Sequence, residues 1–157
     1  MSDFHELYTK YAPDVFRLAL YLCGNRAEAE DITSETFVRV WTSPERIEAA
    51  TVKGYLFTIA RNLFLQELRK KSRQIELDEQ LRDPRASPYA QAEQKAELDT
   101  VLAGLQKLPE IDRAALLMRA SQGMRYEEIA QALRISLASA KVKIHRARLT
   151  LAGIRNA

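Results

Sequence analysis

Helix-breaking residues are scarce in this chain. Its 157 residues include only 5 glycines and 5 prolines, and long stretches contain neither. Within these stretches, apolar side chains recur at the three- and four-residue spacing of one buried helical face; Phe4, Leu7, Tyr8 and Tyr11 are an example. This pattern favours helices over a turn-rich β fold. We therefore predict an all-α protein.

Turn signals place the first helix boundaries. The helix that carries Phe4 to Tyr11 is expected to end before Pro13. Pro13 then fits the first turn of a second helix, where its missing N–H costs nothing. That second helix should stop at Gly24.

Two further helices are predicted in the first half. Asn25 followed by Glu28 resembles a capping box that opens the third helix, which we end near Trp41. Residues 42–53 hold a proline and show no clear period, which indicates a loop. The fourth helix is expected over residues 53–73.

The composition changes after residue 73. Residues 74–92 combine two prolines with several acids, as linkers often do. Apolar periodicity resumes at about residue 93 and continues to the C-terminus. We therefore divide the chain into two small helical domains, 1–73 and 93–157, joined by a linker over 74–92.

The second half contains a helix-turn-helix pattern. Residues 126–133 (YEEIAQAL) form a short amphipathic segment. Residues 134–136 follow as a tight turn, and Ser136 can cap the next helix. Two helices joined in this way are typical of DNA-binding proteins, although any short helical hairpin can imitate the pattern.

The helix after this turn has two different faces. At 100° per residue, Ala140, Ile144, Ala147 and Leu151 share one arc and should face the core. The opposite face consists of short, cationic and apolar side chains: Ala138, Lys141, Val142, His145, Arg146 and Leu149. Short residues at the start and cationic arms further along suit the major groove of DNA. The alternative is a solvated face with scattered charge.

The distribution of charge also favours a DNA-binding face but does not exclude a solvated one. The net charge is only +3, but residues 134–157 hold six basic residues and no acid. Such a segment suits a polyanionic partner. Basic residues also stabilise the C-terminus of a helix, because they interact favourably with the negative end of its macrodipole. The alternative of a solvated helix end therefore stays open.

Signs of catalysis or membrane insertion are weak. Cys23 is the only cysteine, and His5 and His145 lack partners at metal-ligand spacing. No glycine-rich phosphate loop or nucleophile motif occurs. Neither a signal peptide nor a long apolar run is present. We therefore expect a cytoplasmic binding protein that is not an enzyme and needs no cofactor or metal.

Motifs in both halves resemble the extracytoplasmic-function (ECF) sigma factors of bacterial RNA polymerase. In the second half they are residues 108–113 (LPEIDR), 123–130 (GMRYEEIA) and 136–148 (SLASAKVKIHRAR), which resemble sigma region 4. In the first half, residues 29–41 (AEDITSETFVRVW) and 55–62 (YLFTIARN) resemble sigma region 2. Two regions in the family's order are more specific than either motif alone.

The resemblance implies three sets of site residues. Contacts with the −35 promoter element are expected from Arg119, Tyr126, Lys141, Val142, His145 and Arg146. Recognition and melting of the −10 element are expected from the 42–53 loop together with Trp41, Lys53, Arg61, Asn62 and Arg69. Docking on core polymerase is expected from Asp31, Ser34, Glu35 and Val38.

Five positions depart from the family pattern. The family usually has Gln at the position of Ser34, Asp at that of Gln66 and Gly at that of Arg134. It usually has Thr-Val at residues 139–140, where this chain has Ser-Ala.

The resemblance thus predicts a promoter-specificity factor that binds core RNA polymerase and promoter DNA, with an anti-sigma protein as a further expected partner. One alternative is a sigma-like mimic that binds an anti-sigma factor without initiating transcription. Another is an ordinary helix-turn-helix regulator.

Overall fold

The structure is a computed structural model that describes residues 2–42, 51–78 and 96–156. Within these ranges the chain forms seven helices and no strand, which confirms the all-α prediction. The helices are α1 (Ser2–Cys23), α2 (Arg26–Thr42), α3 (Val52–Asp78), α4 (Ala96–Gln106), α5 (Glu110–Ala120), α6 (Tyr126–Leu133) and α7 (Leu137–Asn156).

The N-terminal segment is one helix, so the predicted break before Pro13 is wrong. α1 continues through this proline. An interior proline removes a backbone hydrogen bond and typically costs about 3 kcal/mol. However, Tyr11, Val15 and Leu18 continue one apolar stripe across it and pack into the same core. Burial of this uninterrupted stripe offsets the cost of the proline.

Other boundaries follow the sequence more closely. The side chain of Asn25 caps α2, since its Oδ1 accepts a hydrogen bond from the backbone N–H of Glu28 at 2.8 Å. α3 runs to Asp78, so residues 74–78 of the predicted linker are helical. Residues 79–95 of the linker region, and residues 43–50 of the predicted loop, lie outside the described residues.

The two halves pack against each other. In the first half α1 packs on α2 and α3, and in the second α5 packs on α6 and α7. α1 also contacts α4 and α5, while α3 contacts α6. As a result the buried apolar side chains form one cluster that includes Leu22 of the first half and Leu105 of the second.

The C-terminus of α1 is capped by the second half. The carbonyl oxygen of Leu22 accepts hydrogen bonds from Arg113 Nη1 at 2.6 Å and Gln106 Nε2 at 3.0 Å. Final carbonyl groups of a helix lack intrahelical donors, so these side chains satisfy one of them. Gly24 ends α1 at φ +71°, and a Cβ there would lie 3.2 Å from Gln106. Glycine therefore permits both the turn and the approach of Gln106.

Candidate nucleic-acid interface

α6 and α7 form the predicted helix-turn-helix. α6 ends at Leu133, and the next residue, Arg134, has a left-handed backbone at φ 59° and ψ 46°. The Oγ of Ser136 accepts a hydrogen bond from the backbone N–H of Ser139 at 3.0 Å and caps α7, as predicted. A left-handed residue followed by a capped helix start redirects the chain within three residues.

The two faces of α7 are separated as the wheel predicts. Ala140, Ile144 and Ala147 are buried against the rest of the second half. Lys141 and His145 are exposed on the other side. A rigid inner stripe therefore fixes the direction of the outer face.

Two apolar side chains belong to this outer face. Val142 is 58% exposed and Leu149 is 60% exposed. Burial of aliphatic groups like these on a partner would be favourable, for instance against the methyl group of thymine in a major groove. The face therefore combines cationic and apolar contacts.

Two predicted −35 cations lie over the aromatic ring of a third predicted −35 residue, Tyr126. The guanidinium carbon of Arg119 lies 4.2 Å from the ring centroid of Tyr126, and the Nζ of Lys141 lies 5.5 Å from it. Arg119 is held further by its Nη1, which donates to the carbonyl of Met124 at 3.0 Å. α5, α6 and α7 thus each contribute one side chain to a cationic cluster that is ordered before any partner binds.

Arg146 is exposed but is not a free cationic arm. Its Nε and Nη2 donate to the two carboxylate oxygens of Asp112 at 2.7 and 2.8 Å. The side chain of Asp112 is 2% exposed, whereas that of Arg146 is 54% exposed. Asp112 raises the pKa of Arg146 through these hydrogen bonds and its charge. The pair ties α7 to the first turn of α5.

Two of the predicted −10 residues contact the second half. The Nε and Nη2 of Arg61 donate to the carboxylate of Glu110 at 2.8 and 2.6 Å. The side chain of Arg61 is only 14% exposed. The Nζ of Lys53 donates to the carbonyl of Gln122 at 3.2 Å. Arg61 is therefore mostly buried by its contact with the second half, whereas the side chain of Lys53 is still 33% exposed.

The other predicted −10 residues are more accessible. Asn62 and Arg69 are exposed on α3. Trp41 is more than half exposed at the end of α2, and its ring centroid lies 4.8 Å from that of Phe4. The structure therefore divides the predicted −10 set into an exposed group and a group held between the halves.

The predicted polymerase-docking residues form one exposed ridge on α2. Their spacing of three and four residues places them on one side of the helix; they are Asp31, Ser34, Glu35 and Val38. The carboxylate of Glu35 accepts a hydrogen bond from the Nε of Arg39 at 3.3 Å. The ridge therefore keeps acidic character but is partly neutralised.

An apolar hollow lies beside this ridge. It has a volume of about 640 Å³, and its lining includes Phe4, Tyr8, Phe37, Val38 and Trp41. Sequence reasoning assigned the α1 aromatics to the core only. Their helical period is equally compatible with a stripe that is only half covered, so no local signal marked the hollow.

Sequence reasoning also missed the two acids of α5. Glu110 and Asp112 both lie in the first turn of the helix. Acids are common there because their negative charge interacts favourably with the positive end of the helix macrodipole. Their partners are 49 and 34 residues away along the chain. No short-range spacing could have indicated these pairs.

Metal binding and membrane insertion find no support in the described ranges. Among those residues there is no group of three or more His, Cys, Asp or Glu side chains that could hold a metal ion. None of the helices described is long and apolar enough to cross a bilayer.

Comparison with known proteins identifies both halves. The family model for sigma-70 region 2 matches residues 7–74, and the model for sigma-70 region 4 matches residues 98–151. The chain is 36% identical to the ECF RNA polymerase sigma factor SigE of Mycolicibacterium smegmatis over 96% of its own length and 61% of that protein. It is 30% identical to SigM of Bacillus subtilis over 96% of this chain and 94% of that one.

Solved structures show the same fold. The chain superposes with a TM-score of 0.81 on the sigma factor RpoE from Bartonella quintana, solved with the anti-sigma factor NepR, at 24% identity and covering 100% of this chain and 99% of that one. It superposes with a TM-score of 0.70 on CnrH, solved with the cytosolic domain of CnrY, at 22% identity, covering 98% of this chain and 87% of that one. This chain therefore belongs to the extracytoplasmic-function family of RNA polymerase sigma factors, which are promoter-specificity factors and not enzymes.

Proposed function

We propose that α7 reads duplex −35 DNA while the first half binds core polymerase and the −10 segment. The observation that carries this proposal is the split character of α7. Ile144 and its buried neighbours anchor the helix, and Lys141, Val142 and His145 face solvent together. A rigidly held helix with a cationic outer face suits entry into the major groove.

The exposed ridge of α2 is the proposed docking site for core polymerase. Asp31 and Glu35 give this ridge negative charge, and Val38 leads into the apolar hollow at Trp41. A partner helix with basic and apolar side chains fits such a surface by charge and burial. We further propose that an unstacked −10 base stacks on the exposed ring of Trp41.

Engagement of the −10 segment by Arg61 and Lys53 requires a rearrangement. Both side chains donate hydrogen bonds to the second half. DNA phosphates would have to replace Glu110 as the partner of Arg61. We therefore assign 1–73 and 93–157 as two domains connected by a linker. We propose that these domains separate when promoter DNA binds.

The same function implies where the chain acts and what controls it. Core polymerase and promoter DNA are in the cytoplasm, so we place the chain there. An anti-sigma protein is the proposed negative regulator, because the structurally similar sigma factor RpoE was solved with the anti-sigma factor NepR.

Reconstituted transcription tests the proposed function. The purified chain is mixed with core polymerase and a genomic promoter library, and the 5′ ends of the transcripts are sequenced. We expect starts that share upstream −35 and −10 sequences and that vanish without this chain. A folded chain that binds core polymerase but starts no transcript across the library would favour the sigma-like mimic.

A further inference from the structure

The carboxylate of Asp112 is buried and has its partner on α7. Both of its oxygens accept hydrogen bonds from one guanidinium, at 2.7 and 2.8 Å. A buried carboxylate is costly unless it is paired in this way. Arg146 therefore has one strongly preferred orientation.

The donors that Asp112 uses leave a second fork available. A guanidinium has five N–H donors in a plane. Asp112 occupies the edge formed by Nε and Nη2. The far edge, formed by Nη1 and the other N–H of Nη2, still carries two parallel donors. Because the side chain is 54% exposed, a partner can reach this edge.

The Arg61–Glu110 pair shows that this arrangement is not a general result of arginine pairing. It uses the same Nε and Nη2 edge, at 2.8 and 2.6 Å. Arg61, however, is only 14% exposed, so its far edge is not available to a large partner. The same pairing therefore leaves Arg61 buried, whereas the far edge of Arg146 stays accessible to a partner.

We infer that Asp112 is a positioning residue for promoter reading: it holds Arg146 so that the free fork meets the O6 and N7 acceptors of a guanine in the −35 duplex. This inference rests on the proposed function of α7. Two parallel N–H donors match the two acceptors that guanine presents in the major groove. Fixing the guanidinium beforehand lowers the entropy lost on binding. Asp112 itself is too deeply buried to contact DNA.

Selection from random DNA tests this role. The full chain, assembled with core polymerase, is incubated with double-stranded DNA randomised over the −35 segment, and the bound molecules are sequenced. The variants are Asp112→Asn, which weakens the pair, and Arg146→Lys, which keeps the charge but removes the fork. Arg148→Ala is the control, since Arg148 is an exposed cation on the same helix.

We expect the wild type to prefer guanine at one base pair. Asp112→Asn and Arg146→Lys should each lose about tenfold of this preference at that same base pair. Adding Asp112→Asn to Arg146→Lys should cause no further loss, because Asp112 acts through Arg146. Arg148→Ala should lower binding to all sequences alike and leave the preference intact.

Other outcomes separate the inference from the proposed function. If Asp112→Asn keeps the guanine preference, or weakens all sequences equally, the positioning role is wrong. If the wild-type holoenzyme selects no sequence at all, the proposed promoter function fails instead. Should Asp112→Asn lose its cooperative thermal unfolding, Asp112→Glu replaces it. The longer arm of Glu keeps the charge but displaces the fork, so the preference should fall here too.

Discussion

Arg134 occupies a backbone conformation that favours glycine. Its φ of 59° places it in the left-handed region at the end of α6. For a residue with a Cβ this conformation costs about 1–2 kcal/mol. We therefore expect Arg134→Gly to raise the free energy of unfolding by about 1 kcal/mol, measured by urea denaturation.

The matched control is Gly123, which lies at φ +66° in open space, since a Cβ added there would meet no atom within 4 Å. Gly123→Ala should lower the free energy of unfolding by about 1 kcal/mol through backbone strain alone. If Arg134→Gly destabilises the protein instead, the Arg134 side chain contributes more than its backbone costs.

Glu128 makes the stability of α6 depend on pH. The backbone N–H of Arg125 donates to its carboxylate at 3.1 Å and lowers the pKa of Glu128 below its ordinary value of 4.5. A lowered pKa adds stability above the unfolded value, and this is lost as pH falls through the folded value. Glu128→Gln should therefore reduce the free energy of unfolding by about 1 kcal/mol at pH 7 and much less near pH 3.

Urea denaturation at both pH values checks this expectation. Glu127→Gln is the control, because Glu127 is the exposed neighbour on the same helix turn. Equal losses for the two variants at neutral pH, or a loss at Glu128 that persists in acid, would contradict the role of the cap.

At the scale of elements, α7 should carry the DNA affinity of the second half. Lys141 is exposed beside the ring of Tyr126. We expect Lys141→Ala to weaken binding of the holoenzyme to a cognate −35 duplex by about 1–3 kcal/mol if it reads a base. Fluorescence anisotropy at fixed salt measures the change, because phosphate contacts make the affinity salt-dependent.

Lys107→Ala is the charge-matched control for α7. Lys107 is also exposed in the second half but lies just after α4, away from the helix-turn-helix. Losses below roughly 0.3 kcal/mol for both Lys141→Ala and Arg146→Ala would remove α7 from the recognition surface.

α5 connects the two proposed DNA surfaces. Its first turn carries Glu110 and Asp112, and residues two positions apart project about 200° from each other around a helix. Glu110 therefore faces Arg61 of α3, while Asp112 faces Arg146 of α7. One helix turn holds an arginine from each half.

At the scale of the whole molecule, the pair between Arg61 and Glu110 should compete with DNA. It buries most of the Arg61 side chain between the halves. Glu110→Gln removes the charged partner, and charge-assisted bidentate pairs are among the stronger side-chain contacts. We expect the full chain with this substitution to bind single-stranded DNA roughly three- to tenfold more tightly.

A random single-stranded DNA pool, titrated by anisotropy, supplies the measurement. Asp99→Asn is the control, since it removes one negative charge from an exposed position on α4. Equal gains for both variants would mean that net charge, and not release of Arg61, controls the affinity.

Much of the element structure is local and could be read from the sequence. Asn25 and Ser136 cap helices as their positions indicate. Ile144 is buried and Lys141 is exposed as the 100° period predicts. Pro13 is the exception, because the continuous apolar stripe on α1 overrides its local preference for a helix start.

The sequence by itself determined the all-α class, the helix-turn-helix and the family, because period, caps and motifs depend on residues within a few positions of each other. Only the tertiary structure decided that Glu110 holds Arg61 in a buried position and that Asp112 holds Arg146 in an exposed one. These partners lie 49 and 34 residues apart, so packing between helices brings them together and no local pattern encodes the contact.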